Sequence, residues 1–579
     1  MIKKLSAYVG EYKRWMILAP MLVILEVMCE IAMPRLMASI VDVGIANSDM
    51  RYILRQGGIM LILAGFGIAC GIVSAKASSI AGQGFGANLR NAMFQKIQDF
   101  SFADIDRFSS ASLITRMTND VNAIQMTVTM GMRIITRAPV MLLAALLMAF
   151  SINPSLAVVL LIVVPAMGVA IGVIMKMCNK LFEVTQRKID NLNNTVQENL
   201  VAVRVVKAFV RAGYEKTKFK TANDELTQAG INVAMRIVAI MPVMTLSLNV
   251  ATVAVLYLGG SQVMAGTMLY GDLSSFINYI FQILMSVMMV AMSLLQLSRA
   301  VACARRIIEV LDTQPDIQDR PDSHDRILPQ PKGQVEFRDV SFKYRASGTG
   351  DDVLEHLNFT VEPGQFTAIV GGTGTGKSSL VNLIPRFYDV TGGQVLVDGV
   401  DVRDYPIEEL RQRIGMVLQN NVLFSGTIRE NLLWGRGDAT EEELIQAAKD
   451  AQAYDFIMSF PEGFETKLDQ GGTNVSGGQK QRLCIARAML RKPAILILDD
   501  STSAVDSTTE RAIRESFAKN LAGTTVIIIA QRISSVRYAD KILVLDDGAI
   551  VGEGTHEQLM ASNAVYQEIY QSQQEGVSE

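Results

Sequence analysis

A glycine-rich segment with one lysine and one serine carries the strongest chemical signal in the sequence. It reads Gly371-Gly372-Thr373-Gly374-Thr375-Gly376-Lys377-Ser378, which matches the pattern G-x-x-x-x-G-K-S, and Ser379 follows it. In this pattern the glycines let backbone N–H groups cradle phosphate, the lysine neutralises phosphate charge, and the serine hydroxyl can bind Mg²⁺. An apolar run precedes the loop and a helical pattern follows it, as the motif requires. The segment therefore predicts a nucleotide phosphate site.

Two later segments suit the same chemistry. Asp499 ends the apolar run 494–498, and a carboxylate at the end of a buried strand can hold the water shell of Mg²⁺. The second segment is Val475-Ser476-Gly477-Gly478-Gln479, before a helix that we expect to begin near Lys480. Small residues at that position expose helix N-terminal N–H groups, which bind anions.

Short apolar runs position these residues, and they alternate with helical segments after residue 334. The predicted strands are 335–337, 366–370, 395–397, 415–418, 495–498 and 526–529. Strands that alternate with helices are typical of a largely parallel α/β sheet. The glycine-rich loop and Asp499 each follow one of these strands.

The composition of the 579 residues separates this soluble half from an apolar half. Charged residues make up 19% of the chain, below the roughly 25% of ordinary soluble domains, and mean hydropathy is +0.26. Only four of the 31 methionines follow residue 311. A net charge of −3 argues against nucleic acid as a partner. The five cysteines lack the spacing of a disulfide framework or zinc site.

Six apolar runs in the first half have about the 20 residues needed to cross a bilayer. They cover 16–40, 57–79, 135–152, 155–177, 237–260 and 273–297. Lys and Arg are frequent between residues 176 and 236 but absent from the connections 151–155 and 259–272. The positive-inside rule therefore places both termini in the cytoplasm of a bacterial-type inner membrane. Two long inner loops, 81–132 and 179–236, are predicted to be helical arms that touch a cytoplasmic domain.

The ends of the membrane half have their own signals. Residues 2–15 are predicted to form an amphipathic helix on the inner membrane surface, with Trp15 at the interface and no cleavage pattern after it. Four prolines lie between residues 312 and 332, which indicates an exposed linker. We therefore predict a transmembrane domain over 1–311, a linker over 312–332 and a nucleotide-binding domain over 333–579.

With these motifs in this order, the whole chain resembles the ATP-binding cassette (ABC) transporters, specifically half-size exporters. The resemblance implies an α-helical membrane domain of six transmembrane helices with long cytoplasmic extensions, followed by an α/β P-loop ATPase domain with a helical subdomain. ATP and Mg²⁺ are the implied cofactors, with the metal near Ser378, Gln419 and Asp499. The implied roles are adenine stacking for Tyr344, Walker A for residues 371–378, Q-loop for Gln419, signature for 475–479, Walker B for Asp499 and D-loop for Ser503-Ala504-Val505-Asp506. In this family each ATP lies between one chain's Walker A loop and the other chain's signature.

The sequence departs from the family pattern at both hydrolysis positions. Asp500 occupies the place of the family's catalytic Glu, and Gln531 occupies the place of its switch His. A carboxylate one methylene shorter is displaced by about 1 Å, which can cost roughly 100-fold in rate. Gln531 has no nitrogen that titrates in the physiological range. Gln470-Gly471-Gly472 also replaces the acidic residue usual before the signature, while His324, His356 and His556 are predicted to be structural.

Polar residues inside the spans suggest, but do not define, a substrate cavity. Glu26 and Glu30 share one helix face, and such carboxylates either bind a cationic substrate or are protonated or paired with an arginine. A stripe in the sixth span suits a promiscuous apolar cavity or simple helix packing. Its members are Asn278, Gln282, Met285, Met289, Met292 and Gln296.

These observations lead to one main functional prediction and two alternatives. The chain is predicted to be the degenerate-site subunit of a heterodimeric, alternating-access exporter of hydrophobic or amphipathic compounds, drugs or lipids. Its own site would hydrolyse ATP slowly, while its signature would complete the site of a homologous partner. The alternatives are a regulatory or channel-gating ABC protein and a slow homodimeric exporter.

Overall fold

The computed structural model describes residues 1–344, 352–500, 506–521 and 523–575. The chain forms two units. The first contains Met1–Ile97 and Ala111–Thr313, and the second contains Gln98–Ser110 together with Gln314–Glu579. A short internal segment, Gln98–Ser110, therefore belongs with the C-terminal part of the chain.

The first unit is helical, and it contains six helices long and apolar enough to cross a membrane. The predicted six-span membrane domain is confirmed. The span helices, here spans 1 to 6, are Lys13–Ser39, Met50–Gln98, Thr136–Ile152, Pro154–Val201, Ile240–Met264 and Tyr270–Asp312. Shorter helices connect them at Ser110–Thr115, Val121–Met130, Val203–Ala208 and Ala212–Val238. Spans 2, 4 and 6 exceed the roughly 20 residues that a bilayer requires, so they extend beyond it.

Spans 1 and 6 pack through buried aromatic and hydroxyl side chains. The Tyr279 hydroxyl donates to the Ile31 carbonyl at 2.7 Å, and the Ser275 hydroxyl donates to the Pro34 carbonyl at 2.5 Å. The two donors are four residues apart and therefore share one helix face. Polar groups among apolar spans need such internal partners because lipid offers none.

The N-terminal segment is not the single amphipathic helix that the sequence predicts. Ile2–Leu5 is one α-helical turn, and Ser6–Tyr12 is a 3₁₀ segment interrupted at Gly10, where φ is 55° and ψ is −130°. This left-handed conformation suits glycine, and a Cβ at Gly10 would lie 2.9 Å from Asn88 Nδ2. Asn88 also donates to the Tyr8 carbonyl at 3.2 Å. The segment therefore bends to follow span 2.

The proline-rich segment after residue 313 is exposed over most of its length and packs at a few positions. Ile317 and Ser323 are buried within the second unit. Arg320 and Arg326 both pair with Asp404. The ion pairs and the buried Ile317 hold these positions of the segment against the α/β domain.

The described residues of the second unit form three sheets. Their strands are β1 (Val335–Phe342), β2 (Leu354–Val361), β3 (Phe366–Gly371), β4 (Gly392–Val397), β5 (Val400–Asp401), β6 (Ile414–Val417), β7 (Gly426–Thr427), β8 (Lys467–Leu468), β9 (Ile495–Asp499), β10 (Thr525–Ile529), β11 (Lys541–Asp546) and β12 (Ala549–Gly554). The six-stranded sheet has the order β12-β11-β3-β10-β9-β6 and is parallel except at β12. A four-stranded sheet, β2-β1-β4-β5, is antiparallel, so the first and third predicted strands lie outside the parallel sheet.

Helices cover the parallel sheet and form a helical subdomain, which confirms the predicted α/β ATPase fold. The helices are Lys377–Leu383, Ile407–Arg413, Ile428–Leu433, Glu441–Asp450, Tyr454–Ser459, Gly477–Leu490, Ser507–Asn520, His556–Ser562 and Ala564–Glu575. One apolar core lies between the antiparallel and parallel sheets, and another lies under the helical subdomain and the C-terminal helices. Because β3, β9 and β10 are adjacent and parallel, their carboxyl ends meet at one edge.

The two inner arms end differently. The tip of the first arm is the helix Phe102–Phe108, which is itself part of the second unit, and its Phe102 ring lies 4.4 Å from the Phe387 ring of that unit. Tyr388 donates to Asp106 at 2.9 Å in the same cluster. The tip of the second arm, at the helix Val203–Ala208, leaves apolar side chains exposed on the first unit.

Candidate nucleotide site

The glycine-rich loop connects β3 to the helix Lys377–Leu383, as the motif predicts. Gly376 has φ of +93°, and a Cβ there would lie 2.8 Å from the side chain of Leu354. A Cβ on Gly371 would lie 2.1 Å from the Leu545 carbonyl oxygen. These positions accept only glycine because neighbouring strands approach the loop closely. The resulting tight turn presents backbone N–H groups at a helix N-terminus.

Lys377 projects into this loop. Its Nζ donates to the Gly371 carbonyl at 2.9 Å and also to the Gly372 carbonyl. Burial lowers the pKa of Lys377, while the nearby Asp500 and Asp499 carboxylates oppose that shift. An ammonium group held by loop carbonyls is available to neutralise phosphate in the same loop.

Ser378 and Asp499 come together across the carboxyl edge of the sheet. The Ser378 hydroxyl donates to Asp499 Oδ1 at 2.9 Å. Asp499 is buried, and this burial raises its pKa. A hydroxyl beside a carboxylate is the hard oxygen donor set that Mg²⁺ prefers. These two residues and Lys377 fit ATP with Mg²⁺.

Asp500 is held between two glutamine side chains. Gln531 Nε2 donates to Asp500 Oδ2 at 2.7 Å, and Gln419 also hydrogen-bonds the carboxylate. Burial raises the pKa of Asp500, against the lowering effect of these bonds and of Lys377. The Asp500 backbone is left-handed, with φ of 45°. Strained backbone of this kind is frequent at functional sites. The three residues predicted for water activation, switching and the Q-loop thus form one cluster.

Tyr344 lies at the end of the segment that follows β1. Its hydroxyl shares a hydrogen bond with the Ser379 hydroxyl at 2.9 Å. Its ring meets Tyr388 edge-on, with centroids 5.2 Å apart. The predicted adenine-stacking residue is therefore joined directly to the helix that follows the glycine-rich loop.

The signature segment caps a helix. That helix begins at Gly477, three residues earlier than predicted, because Ser476 and Gln479 form a capping box. Ser476 Oγ accepts from Gln479 N at 3.3 Å, and Gln479 Oε1 accepts from Ser476 N at 2.9 Å. Val475 precedes the cap and packs partly against the core, whereas Gly477 is exposed and Gly478 is half-buried. The two glycines leave the helix N-terminus accessible to an anion.

Asp506 also caps a helix, Ser507–Asn520, by accepting from Thr509 N at 3.0 Å. Hydrogen bonds to the Thr509 backbone and side chain lower the pKa of Asp506. The rest of the predicted D-loop, residues 503–505, lies outside the described residues.

Comparison with known proteins agrees with this geometry. Residues 16–287 match the family model of the ABC transporter transmembrane region, and residues 354–503 match that of the ABC transporter. An uncharacterized ABC transporter ATP-binding protein of Mycobacterium tuberculosis is 41% identical over 572 residues, covering 98% of this chain and 97% of that protein. The chain belongs to the ABC transporter family.

Two other similarities specify the architecture of this ABC transporter. An ATP-dependent lipid A-core flippase of Syntrophus aciditrophicus is 36% identical over 87% of this chain and 83% of that protein. The structure of a bacterial Atm1-family ABC exporter with ATP bound superposes with a TM-score of 0.81 at 26% identity, covering 97% of this chain and 99% of that one. This chain is therefore a half-size ABC exporter with an ATP-hydrolysing, ATP-binding domain, and it is a multi-pass membrane protein.

The carboxylates in span 1 of this exporter are paired with an arginine that the sequence reading did not name. Arg137 Nη1 donates to Glu26 at 2.7 Å, and its Nη2 donates to Glu30 at 2.6 Å. Arg137 lies near the start of span 3, so the cluster joins two spans. The signal in the sequence was an arginine within an otherwise apolar run. Of the alternatives given for Glu26 and Glu30, pairing with an arginine is the one that these contacts match.

The stripe in span 6 has one face partly accessible on the first unit. Asn278 and Met292 are exposed, whereas Gln282, Met285 and Met289 are half-buried. Gln282 Oε1 is buried with no hydrogen-bond partner among the described residues. The side chain of Gln296 lies outside the described residues.

The three histidines contact structural partners. His324 lies 3.3 Å from Asp319, His356 lies 2.7 Å from Asp339, and His556 shares a hydrogen bond with Tyr566 at 2.8 Å.

Proposed function

We propose that this chain is one subunit of a heterodimeric ABC exporter and that its own ATP site is impaired in hydrolysis. The contact between Gln531 and Asp500 at 2.7 Å carries the proposal, because it places an amide and a short carboxylate where the family uses His and Glu. The phosphate-binding residues Lys377, Ser378 and Asp499 are retained beside it. Such a site binds ATP but activates water poorly.

Two features of Asp500 support slow hydrolysis. Its carboxylate reaches about one methylene less far than Glu, and a misplacement of about 1 Å can cost roughly 100-fold. The Gln531 amide donates to its Oδ2, and this bond stabilises the ionised carboxylate and weakens it as a base. Gln531 can donate to a γ-phosphate but cannot carry a positive charge there.

The phosphate-holding roles follow from the donors present. Lys377 would neutralise the β and γ phosphates, and the loop N–H groups would hold their oxygens. Ser378, Asp499 and Gln419 would hold Mg²⁺ and its waters, and the metal would offset phosphate charge. Tyr344 would stack on adenine.

The signature of this chain would complete the competent site of the partner. Ser476 caps its helix, and the exposed Gly477 with the half-buried Gly478 would leave the helix N-terminus open to the γ-phosphate of an ATP on another chain. The intact capping geometry beside a degenerate base supports an asymmetric pair. The signature of this chain would serve hydrolysis at the partner's site, while little ATP would be hydrolysed at this chain's own site.

The second inner arm supports the presence of a partner subunit. Its tip exposes Val201 (82%), Phe209 (74%) and Val210 (87%), with Leu200 and Val205 beside them. Contiguous exposed apolar side chains on a cytoplasmic helix mark a protein interface. A homologous subunit is the partner that the rest of the architecture requires, because each nucleotide site needs a second signature.

The proposed substrate is a lipid or another amphipathic compound that enters from the cytoplasm or the inner leaflet. Two curated relatives at about 35% identity are ATP-dependent lipid A-core flippases. The half-buried Met285 and Met289 offer adaptable apolar contact for such molecules. ATP closure of the two cassettes would move the arms and turn the cavity outward across the inner membrane, with both termini in the cytoplasm.

Purification of the full chain with and without a homologous partner tests this function. We expect the chain alone to bind ATP with little turnover, and the pair to hydrolyse ATP and move lipid or amphiphile across proteoliposomes. The partner should carry Glu and His at the positions of Asp500 and Gln531. Rapid turnover by the chain alone, at the rate of the pair, would overturn the proposal.

A further inference from the structure

The switch segment after β10 depends on a residue near the end of the C-terminal helix. β10 ends at Ile529, and the backbone beyond it leaves the sheet. Gln573 Nε2 donates to the Gln531 carbonyl at 2.6 Å, and Gln573 Oε1 accepts from Ile533 N at 2.9 Å. One amide group thus satisfies two main-chain groups that have no partner in the sheet ladder.

Only a neutral amide makes both contacts, because it presents one donor and one acceptor from the same planar group. Gln573 lies 42 residues after Gln531 in the chain, so the contact is tertiary. The helix that carries it, Ala564–Glu575, is fixed by Tyr566, which is fully buried, and by the partly buried Ile569. The helix that carries Gln573 is therefore held firmly against the core.

The backbone on both sides of Gln531 is also held in place. Ile533 is buried, and Ala530 N donates to the Ile369 carbonyl at 3.3 Å. Between these anchors the Gln531 side chain is exposed and reaches Asp500. The backbone at residue 531 determines where the Gln531 amide lies, and sites of this kind need positions held within about 0.5 Å.

We propose that Gln573 is a positioning residue for the nucleotide site, which holds the switch backbone so that Gln531 meets Asp500 and the γ-phosphate. The proposal rests on the roles proposed for Asp500 and Gln531. It makes the C-terminal helix a part of the ATP site, although within the described residues the hydrogen bonds of the Gln573 side chain go to the backbone of the switch segment.

A purely structural role for Gln573 is the competing explanation, and a double-mutant cycle separates the two. Gln573→Met removes both hydrogen bonds but keeps side-chain length and helix propensity. Gln573→Glu keeps the acceptor for Ile533 N and loses the donor to the Gln531 carbonyl. Gln571→Met is the matched control, since Gln571 is an exposed glutamine on the same helix. Each change is made in the full-length chain and again together with Gln531→Ala.

Two measurements decide the question in the purified full-length protein. Hydrogen exchange at the amide of Ile533 should rise in Gln573→Met but not in Gln571→Met. The rate of ATP release should rise about threefold to tenfold in Gln573→Met, the range for loss of one hydrogen-bonded contact. In the Gln531→Ala background Gln573→Met should add no further change, because the side chain it positions is gone. Gln573→Glu should raise the rate at least as much, because its carboxylate meets the Gln531 carbonyl oxygen without a proton to donate.

An unchanged rate of ATP release in Gln573→Met, or an equal effect with and without Gln531→Ala, would overturn the proposal. A fall in melting temperature that accounts for the release rate would do the same. The outcome is separate from the proposed function. If the chain alone hydrolyses ATP rapidly, the degenerate-site function fails, but the cycle between positions 573 and 531 is then measured on kcat and still decides the role of Gln573.

Discussion

At the scale of single residues, Asp500 and Gln531 act as one unit. The carboxylate accepts hydrogen bonds from both Gln531 and Gln419, so its orientation depends on two amides. Its left-handed backbone restricts how far any longer side chain at position 500 can rotate. A change at one of the two positions therefore alters the geometry that the other requires.

This coupling predicts non-additive restoration of hydrolysis. Asp500→Glu restores the reach of the base, and Gln531→His restores a group that can orient the γ-phosphate, but neither suffices alone. We expect little hydrolysis from either single variant and much more from the double variant than the product of the two effects, as for residues that form one catalytic unit. Site-resolved ATPase is measured with the partner's own base disabled.

The double variant has a clear contrary outcome. If Asp500→Glu alone restores fast turnover at this site, then Gln531 is a neutral replacement, and its contact with Asp500 has no bearing on hydrolysis.

A second prediction at this scale concerns the phosphate-binding residues. Lys377, Ser378 and Asp499 make the contacts expected of a site for ATP with Mg²⁺, while the proposed base beside them is an aspartate. We expect ATP to remain bound here through several turnovers of the partner's site. Labelled ATP trapped at steady state and cross-linked to the Walker A loop should be recovered as triphosphate. Recovery mainly as ADP would exclude a held ATP.

At the scale of elements, the cluster of Arg137, Glu26 and Glu30 ties span 3 to span 1. The arginine donates to both carboxylates, and the side chain of Glu26 is only 18% exposed. Removal of one partner from such a pair leaves a charge without compensation.

This cluster predicts an asymmetric effect of neutralisation. Arg137→Gln leaves two carboxylates facing each other and should cost about 3 kcal/mol of stability, whereas Glu30→Gln keeps the Arg137–Glu26 pair and should cost less. Thermal unfolding of the purified protein in detergent measures both. Arg133→Gln, at an exposed arginine one turn earlier, is the control. Equal melting temperatures for Arg137→Gln and Arg133→Gln would show that the cluster has no stabilising role.

Elements were predictable from the sequence where their own residues determine them. The six spans follow from length and hydropathy. The loop 371–378 follows from its glycines, because a Cβ at Gly371 or Gly376 would clash with neighbouring strands. Contacts between distant segments were not predictable. Three such contacts join residues far apart in the chain: the hydrogen bond from Arg137 to Glu26, the hydrogen bond from Gln573 to the Gln531 carbonyl, and the antiparallel pairing of β1 with β4. The prediction of one helix over 2–15 was wrong for a local reason, because Gly10 adopts a left-handed conformation that interrupts it.

At the scale of the whole molecule, function depends on which chain supplies each part of a site. This chain presents a capped helix start at the proposed signature and an aspartate at the proposed base position, and its second arm exposes an apolar tip. In the proposed pair, ATP would therefore be held at this chain's Walker A loop and hydrolysed at the partner's Walker A loop. Changes to this chain's signature should then affect ATPase more than changes to its own base.

This asymmetry gives the last prediction. Ser476→Tyr should abolish most ATPase activity of the pair, because a bulky ring at the helix cap blocks the anion site that the partner's γ-phosphate would use, and it removes a cap worth about 1 kcal/mol. Asp500→Asn should change that activity only modestly, because this chain's base contributes little. Both variants are compared in the reconstituted pair at saturating ATP. Ser476→Thr, which keeps the capping hydroxyl, controls for loss of the helix start. Equal and complete loss of ATPase from Ser476→Tyr and Asp500→Asn would mean that both sites hydrolyse ATP, and the asymmetric model would be wrong.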